Sequence, residues 1–155
     1  MDTKSRTMRI EVKDYIIPIQ GTIRRVSNRA DYKAYCKIYL DSFGHTLRRR
    51  LILWLLKKQI YKRSYVWLIE GKCVGIYALV KDEQRRVTPN VTFRILCNVA
   101  VDKDYRGQGL SKYLIYSALD KAHTLGYDEL ILDVAPDNYP AINLYTSIGF
   151  EYIKE

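Results

Sequence analysis

The chain has 155 residues, 48% hydrophobic and 28% charged, a length that suits one domain spanning 1–155 and is short for two. A chain this size buries roughly 70% of its unfolded surface, so it needs no metal or disulfide to fold, and its 19 aromatic residues exclude a disordered chain. The net charge of +9 is uneven: residues 1–63 hold 16 Lys/Arg and 5 Asp/Glu, residues 64–155 hold 10 and 12.

That cationic block is either a solvated basic face or a surface for anionic partners. The longest aliphatic and Trp run, 51–56, is six residues, against about 20 for a membrane span. That run is too short to span, so no membrane partner is expected, and the first ten residues lack an apolar h-region, so no signal peptide is expected. Cys36, Cys73 and Cys97 are odd in number and form no CxxC. They are expected to be buried structural thiols in a reducing, cytoplasmic setting. With His45 and His123 as the only histidines, no metal site is expected.

In chain order, 8–19 partly alternates and contains Pro18, which predicts an edge strand or arm within the first 20 residues. A short strand follows over 22–26. Ser27 and Asn28 offer a cap for a helix over 31–43, with Tyr32, Tyr35, Cys36, Tyr39 and Phe43 at helical spacing and Gly44 as its stop. A second helix is predicted over 48–62, with Leu51, Trp54, Leu55 and Ile60 facing the core. Segments 65–70 and 72–80 form a hairpin around Gly71, and 81–90 is a polar loop. A central strand covers 91–101. A helix over 110–125 has Leu114, Ile115, Ala118, Ala122 and Leu125 as its stripe and ends at Gly126. A strand over 129–134, a helix from Pro140 to about Ser147 and a short strand over 150–154 complete the chain. The alternation of strand and helix implies an α/β layered domain.

Two junctions carry chemistry. In the first, Val99-Ala100-Val101-Asp102 ends a strand and Arg106-Gly107-Gln108-Gly109-Leu110-Ser111-Lys112 opens a helix. Glycines there permit open turns and close ligand approach, and the first helical amides point outward with the positive end of the dipole. Such a junction suits an anion, and Arg106 adds a cation. It matches neither the P-loop nor GxGxxG, so a Gly-rich turn without ligand stays open on local grounds. In the second junction a strand runs into a helix at Asn138, with Tyr145 two turns further on. Taken singly, Asn138 is a cap and Tyr145 a core or surface tyrosine.

Together, the stretch from about Arg94 to Phe150 resembles the GCN5-related N-acetyltransferase (GNAT) superfamily. Its pyrophosphate loop is [QR]-x-x-G-x-[GA], and Asn138-Tyr139-Pro140-Ala141, Leu144-Tyr145 and Gly149-Phe150 fit the elements that follow it. The resemblance implies a mixed, mostly antiparallel central sheet with a splayed pair of parallel strands and about four helices. It implies acetyl-CoA as co-substrate, with pantetheine along the backbone of Val99, Ala100 and Val101. The pyrophosphate would sit on the amides of Gly107, Gln108, Gly109, Leu110, Ser111 and Lys112 beside Arg106. Asn138 would touch the pantetheine arm or fix the loop, and Tyr145 would be the general acid. The Val99 amide would serve the oxyanion.

A neutral amine attacks the thioester, so a base or water chain must first deprotonate it. Asp133 is the nearest matching carboxylate. In the branch resembling ribosomal-protein N-terminal acetyltransferases a Glu at this position is proposed as base, and a structural carboxylate is the alternative. Asn98 and Glu70 are weaker candidates for positioning.

Two departures stand out. Ser111 replaces the loop's last Gly or Ala, and the chain stops five residues after Phe150, where the family has a further strand. Residues 8–19, or a partner chain in a homodimer, are expected to supply that strand. The cationic first helices are expected to rim the acceptor site, favouring an acidic or anionic amine. Aminoacyl-tRNA, or an inactive CoA-binding or RNA-binding module, stands as the alternative.

Overall fold

The computed structural model describes residues 6–13, 19–85 and 89–154. Pro18, read as a mark of an edge, lies outside the described residues. The strands are β1 (Arg6–Glu11), β2 (Thr22–Arg25), β3 (Ser64–Ile69), β4 (Lys72–Val80), β5 (Phe93–Val101), β6 (Glu129–Val134) and β7 (Glu151–Tyr152). The helices are α1 (Arg29–Phe43), α2 (Leu47–Leu55), α3 (Lys57–Arg63), α4 (Ser111–Thr124) and α5 (Tyr139–Ile148).

One seven-stranded sheet runs in the order β2-β3-β4-β5-β6-β1-β7. β5 and β6 are parallel and the other described pairs antiparallel. The N-terminal strand is therefore not an edge. β1 lies between β6 and β7, where Met8 pairs with both Leu132 and Tyr152. Met8 and Ile10 are buried, so the sheet position between β6 and β7 is filled by the N-terminal strand.

Each face of the sheet carries helices. On one face Tyr35 and Ile38 of α1, Leu53 of α2 and Ile60 of α3 pack on Val66, Ile76 and Ala100. On the other, Leu114, Ala118 and Ala122 of α4 pack with Val74, Tyr77, Val101, Leu130 and Leu132. Gly75 is what lets α4 sit so close, because a Cβ there would stand 3.0 Å from a Leu114 methyl. α1 starts at Asn28, whose side chain accepts from the Asp31 amide. The buried Asp31 carboxylate is held by Arg24 at 2.7 and 3.0 Å.

Four expectations need correction. The helix read over 48–62 is two helices, broken at Leu56 with φ −92° and ψ 12°, so there are five helices among the described residues. Leu51, Trp54 and Leu55 point to solvent rather than into the core, and of that set only Ile60 is buried. Leu125 falls just past the end of α4 and is 49% exposed, because the buried stripe of α4 stops at Ala122. The cysteines are half-buried rather than enclosed, and none is in a disulfide.

Candidate active site

β5 pairs with β6 only at Phe93–Glu129, Arg94–Leu130 and Ile95–Ile131. Beyond Ile95 the two parallel strands part, while β6 stays paired with β1 as far as Val134. A slot opens along the far half of β5, lined by unpaired backbone on the side away from β4.

β5 is irregular at the same place. Ala78 faces Cys97, and Ile76 faces Ala100, so Asn98 and Val99 share one position opposite Tyr77. This is a β-bulge, which takes a backbone group out of the ladder and bends the strand. Asn98 has φ +57°, a left-handed conformation that Asn tolerates better than most residues. Its Nδ2 donates to the Tyr35 hydroxyl on α1 at 3.0 Å. Burial pushes the Tyr35 phenol up to about 12, so it stays protonated. A sequence scan finds Asn98 only as a minor candidate and cannot find Tyr35, because the tether spans 63 residues.

After β5, the buried Asp102 accepts from the Asp104 amide at 3.0 Å and caps a single 3-10 turn over Lys103–Tyr105. Gly107 and Gly109 follow at φ +79° and +71°. A Cβ at either would meet nothing within 4 Å. These glycines serve backbone conformation, and the space above the loop is open. Leu110 occupies the N-cap of α4, and no side chain caps that end. The amides of Ser111 and Lys112 thus present their N–H groups outward, as an anion requires. Arg106 is tied in place: Nε donates to the Val101 carbonyl at 3.2 Å and Nη2 to Ser42 Oγ at 3.0 Å. It straps the loop to β5 and α1.

Asn138 caps α5 through the Ala141 amide at 3.3 Å, which is the local reading made from sequence. Tyr145 lies on α5, its ring 5.7 Å from that of Phe150. Burial raises its pKa above the usual 10.0, which keeps the phenol protonated at physiological pH.

Asp133 sits on β6 beside the slot, and its carboxylate is occupied. Arg85 from the 81–90 loop donates to both oxygens, at 2.7 and 2.8 Å, and the Thr7 hydroxyl donates at 2.8 Å. Thr7 is its register partner on β1. The Arg85 guanidinium, more than Thr7, holds the Asp133 pKa below the usual carboxylate range. Neither Arg85 nor Thr7 carries a local signal, since the bridge joins segments 48 and 126 residues away from Asp133. Glu70 is taken up by the hairpin turn with φ +49°.

On the α1–α3 face a cavity of about 610 Å³ runs from α2 and α3 to the bulge. Tyr39, Ile52, Leu56, Ile95, Cys97 and Asn98 line it, with Arg63 and Lys81 against Asp82 and Glu83. Its formal charge balances. Arg48, Arg49, Arg50, Lys57 and Lys58, expected to rim the acceptor site, are not among its lining. Tyr145 packs on the opposite face, and the slot between β5 and β6 is where the two faces meet. Burial raises the Cys97 thiol to about 11, which holds it protonated.

The chain is similar to proteins of known activity. It is 44% identical over 55 residues to the [ribosomal protein bS18]-alanine N-acetyltransferase of Escherichia coli K12, covering 36% of this chain and 37% of that protein. It is 31% identical over 87 residues to N-alpha-acetyltransferase 30 of Schizosaccharomyces pombe, covering 56% of each. Its matches take in 25 to 56% of the length of the first such relatives. A crystal structure of the NatC complex bound to Gag peptide and CoA shares the fold, with TM-score 0.67, 22% identity and coverage of 88% and 87%. The Acetyltransferase (GNAT) family model matches residues 30–150, and the chain belongs to that family.

Proposed function

We propose that the chain transfers an acetyl group from acetyl-CoA to a primary amine by direct attack on the thioester. The observation that carries this reading is the parting of β5 from β6 beside the Asn98 bulge. It offers unpaired backbone for an extended ligand arm and a displaced amide beside it. The residues fit the ligand: an uncapped helix start and an open glycine loop for a pyrophosphate, and a slot for the arm. Acetyl-CoA supplies the activated acetyl group.

The chain's own residues then have distinct tasks. The amides from Gly107 to Lys112 hold the pyrophosphate. Backbone of Val99, Ala100 and Val101 aligns the arm, and the Val99 amide donates to the carbonyl oxygen as negative charge develops there. Tyr145, kept protonated by burial, donates its proton to the departing thiolate, whose conjugate acid has a pKa near ~8.5. The protonated state of Cys97 favours direct transfer over an acyl-cysteine route.

Asp133 is a poor base as it stands, since Arg85 and Thr7 occupy it and lower its pKa. The geometry supports an anchoring task, with Arg85 tying segment 81–85, which follows β4, to β6. Water in the cavity then takes the proton from the ammonium. The volume and balanced charge of the cavity, with the named activities of the relatives, favour the α-amine of a polypeptide as acceptor.

The test is thiol release from acetyl-CoA with peptide N-termini, free amino acids and aminoacyl-tRNA, for wild type and Tyr145→Phe. Peptide-dependent release that falls ~100-fold or more in the variant is expected. No release with any of these acceptors, despite CoA binding, overturns the transferase reading. Release with aminoacyl-tRNA alone overturns the choice of acceptor.

A further inference from the structure

A helix lying on a sheet ordinarily buries its apolar stripe and turns its cations outward. α2 buries Leu53 and turns a second apolar stripe the other way. At about 100° per residue, Leu47, Leu51, Trp54 and Leu55 fall in one arc opposite Leu53. They are 83, 52, 68 and 62% exposed, whereas Leu53 is 6% exposed. Arg48 and Arg50 border that arc on either side, and Lys58 lies just beyond its end; all three are exposed. Between Asp41 and Glu70 the chain has seven Lys/Arg and no carboxylate.

We propose that this outer face of α2 docks on an anionic lipid bilayer. Trp54, Leu51, Leu47 and Leu55 would enter the boundary between headgroups and acyl chains. Arg48, Arg50 and Lys58 would rest on headgroup phosphates, their aliphatic stems lying along the apolar strip. The charge selects the occupant: a strip edged on both sides by cations, in a segment free of carboxylates, complements a uniformly negative surface. The shape agrees with it. The strip is a convex helix face of four side chains, small beside the roughly 800 Å² per side of a stable protein interface. A bilayer requires no complementary outline. The expectation of no membrane partner rested on span length. None of the described helices can cross a bilayer, but surface docking needs only a face.

The test is co-sedimentation of the full chain with vesicles of phosphatidylcholine and phosphatidylglycerol in roughly equal parts, and with pure phosphatidylcholine. The variants are Leu51→Ser/Trp54→Ser and Arg48→Glu/Lys58→Glu; Ile52 and Leu56, which line the cavity, stay unchanged. Circular dichroism and CoA binding report that each variant is folded. Wild type is expected to bind the mixed vesicles, to bind pure phosphatidylcholine far more weakly, and to be released by high salt. Each variant is expected to lose affinity at least ~10-fold. Tryptophan emission should shift to the blue on binding in wild type and not in the serine variant. No binding to anionic vesicles, or equal binding by wild type and the serine variant, overturns the proposal. A wild-type dimer that the serine substitutions convert to a monomer also overturns it and assigns the face to a second copy.

Discussion

α4 and α2 lie on opposite faces of one sheet and dispose of their apolar residues in opposite ways. In α4, Leu114, Ile115, Ala118, Leu119 and Ala122 are all fully buried. The helix is fixed by its own periodicity, and no side chain caps its start. α2 spends one leucine on the core and leaves three leucines and a tryptophan in water. The α4 face is a frame in which each residue's place follows from its spacing. The α2 face is a binding surface, where spacing gives the helix but not the direction it turns. The same contrast holds for the ligand elements. The loop on the α4 side is built from backbone, whereas the cavity on the α2 side is built from side chains of distant segments.

The strongest way to break this comparison is to remove the strand that completes the frame. Deletion of residues 1–12 takes out β1, and with it Met8 and Ile10. Each is a fully or almost fully buried side chain of about 1.5–3 kcal/mol. Loss of the backbone ladders to β6 and β7 adds to that. A fall in Tm of more than ~10 °C, or no folded protein, is expected by circular dichroism. By contrast, Leu51→Ser/Trp54→Ser removes as much apolar surface from α2 and should change stability by no more than about 0.5 kcal/mol per site. Equal losses in the two variants would refute the distinction between frame and surface.

Tyr145→Phe addresses the frame's chemistry without its stability. kcat should fall ~100-fold or more with Tm unchanged. Because burial raises the Tyr145 pKa above 10.0, the proton donor is present throughout the range below that value. The wild-type rate should rise with pH as the amine deprotonates, with no descending limb below pH 10 from this group. A descending limb near pH 8 that disappears in Tyr145→Phe would contradict the environment described for it.

Much of the α4 side is visible in the sequence because its determinants are local. Strand β6 begins and ends where read, at Glu129 and Val134, and Asn138 and Gly149 bracket α5 as capping rules require. The α2 side is less visible. Leu51, Trp54 and Leu55 have helical spacing whether they face a core or water, so periodicity cannot tell the two apart. The break at Leu56 has no Gly or Pro to announce it. From the sequence, the filling of that sheet position by the 8–19 segment stands only as an alternative to a partner chain. Its choice between those two is a matter of tertiary pairing.

A smaller effect is expected at the bulge, where the two faces meet. Asn98→Ala loses the hydrogen bond to Tyr35 and places a Cβ residue without Asn's tolerance at φ +57°. A cost of about 1–2 kcal/mol should follow. Asn98→Gly relieves the backbone but still lacks the tether. If the tether positions the Val99 amide, Gly should recover most of the stability and little of kcat. Recovery of both would make Asn98 a matter of backbone conformation alone.

The smallest effect separates two tasks for Asp133. Its folded pKa is depressed, first by Arg85 and then by Thr7. The pair therefore stabilises the fold above the unfolded carboxylate value of 3.8 and loses that contribution as pH falls through the folded value. The carboxylate is 37% exposed, and solvent screening holds such a pair to about 0.2–1 kcal/mol. Asp133→Asn and Arg85→Ala should each lower Tm by about 1–4 °C at pH 7, with the difference from wild type shrinking below pH 4. Their double variant should cost less than the two losses added, because they remove the same bond. Under the anchoring reading kcat in Asp133→Asn falls less than ~10-fold, and the rise of rate with pH keeps its position. A ~100-fold loss in Asp133→Asn that Arg85→Ala does not share would instead make the carboxylate the base, with Arg85 only storing it in its ionised form.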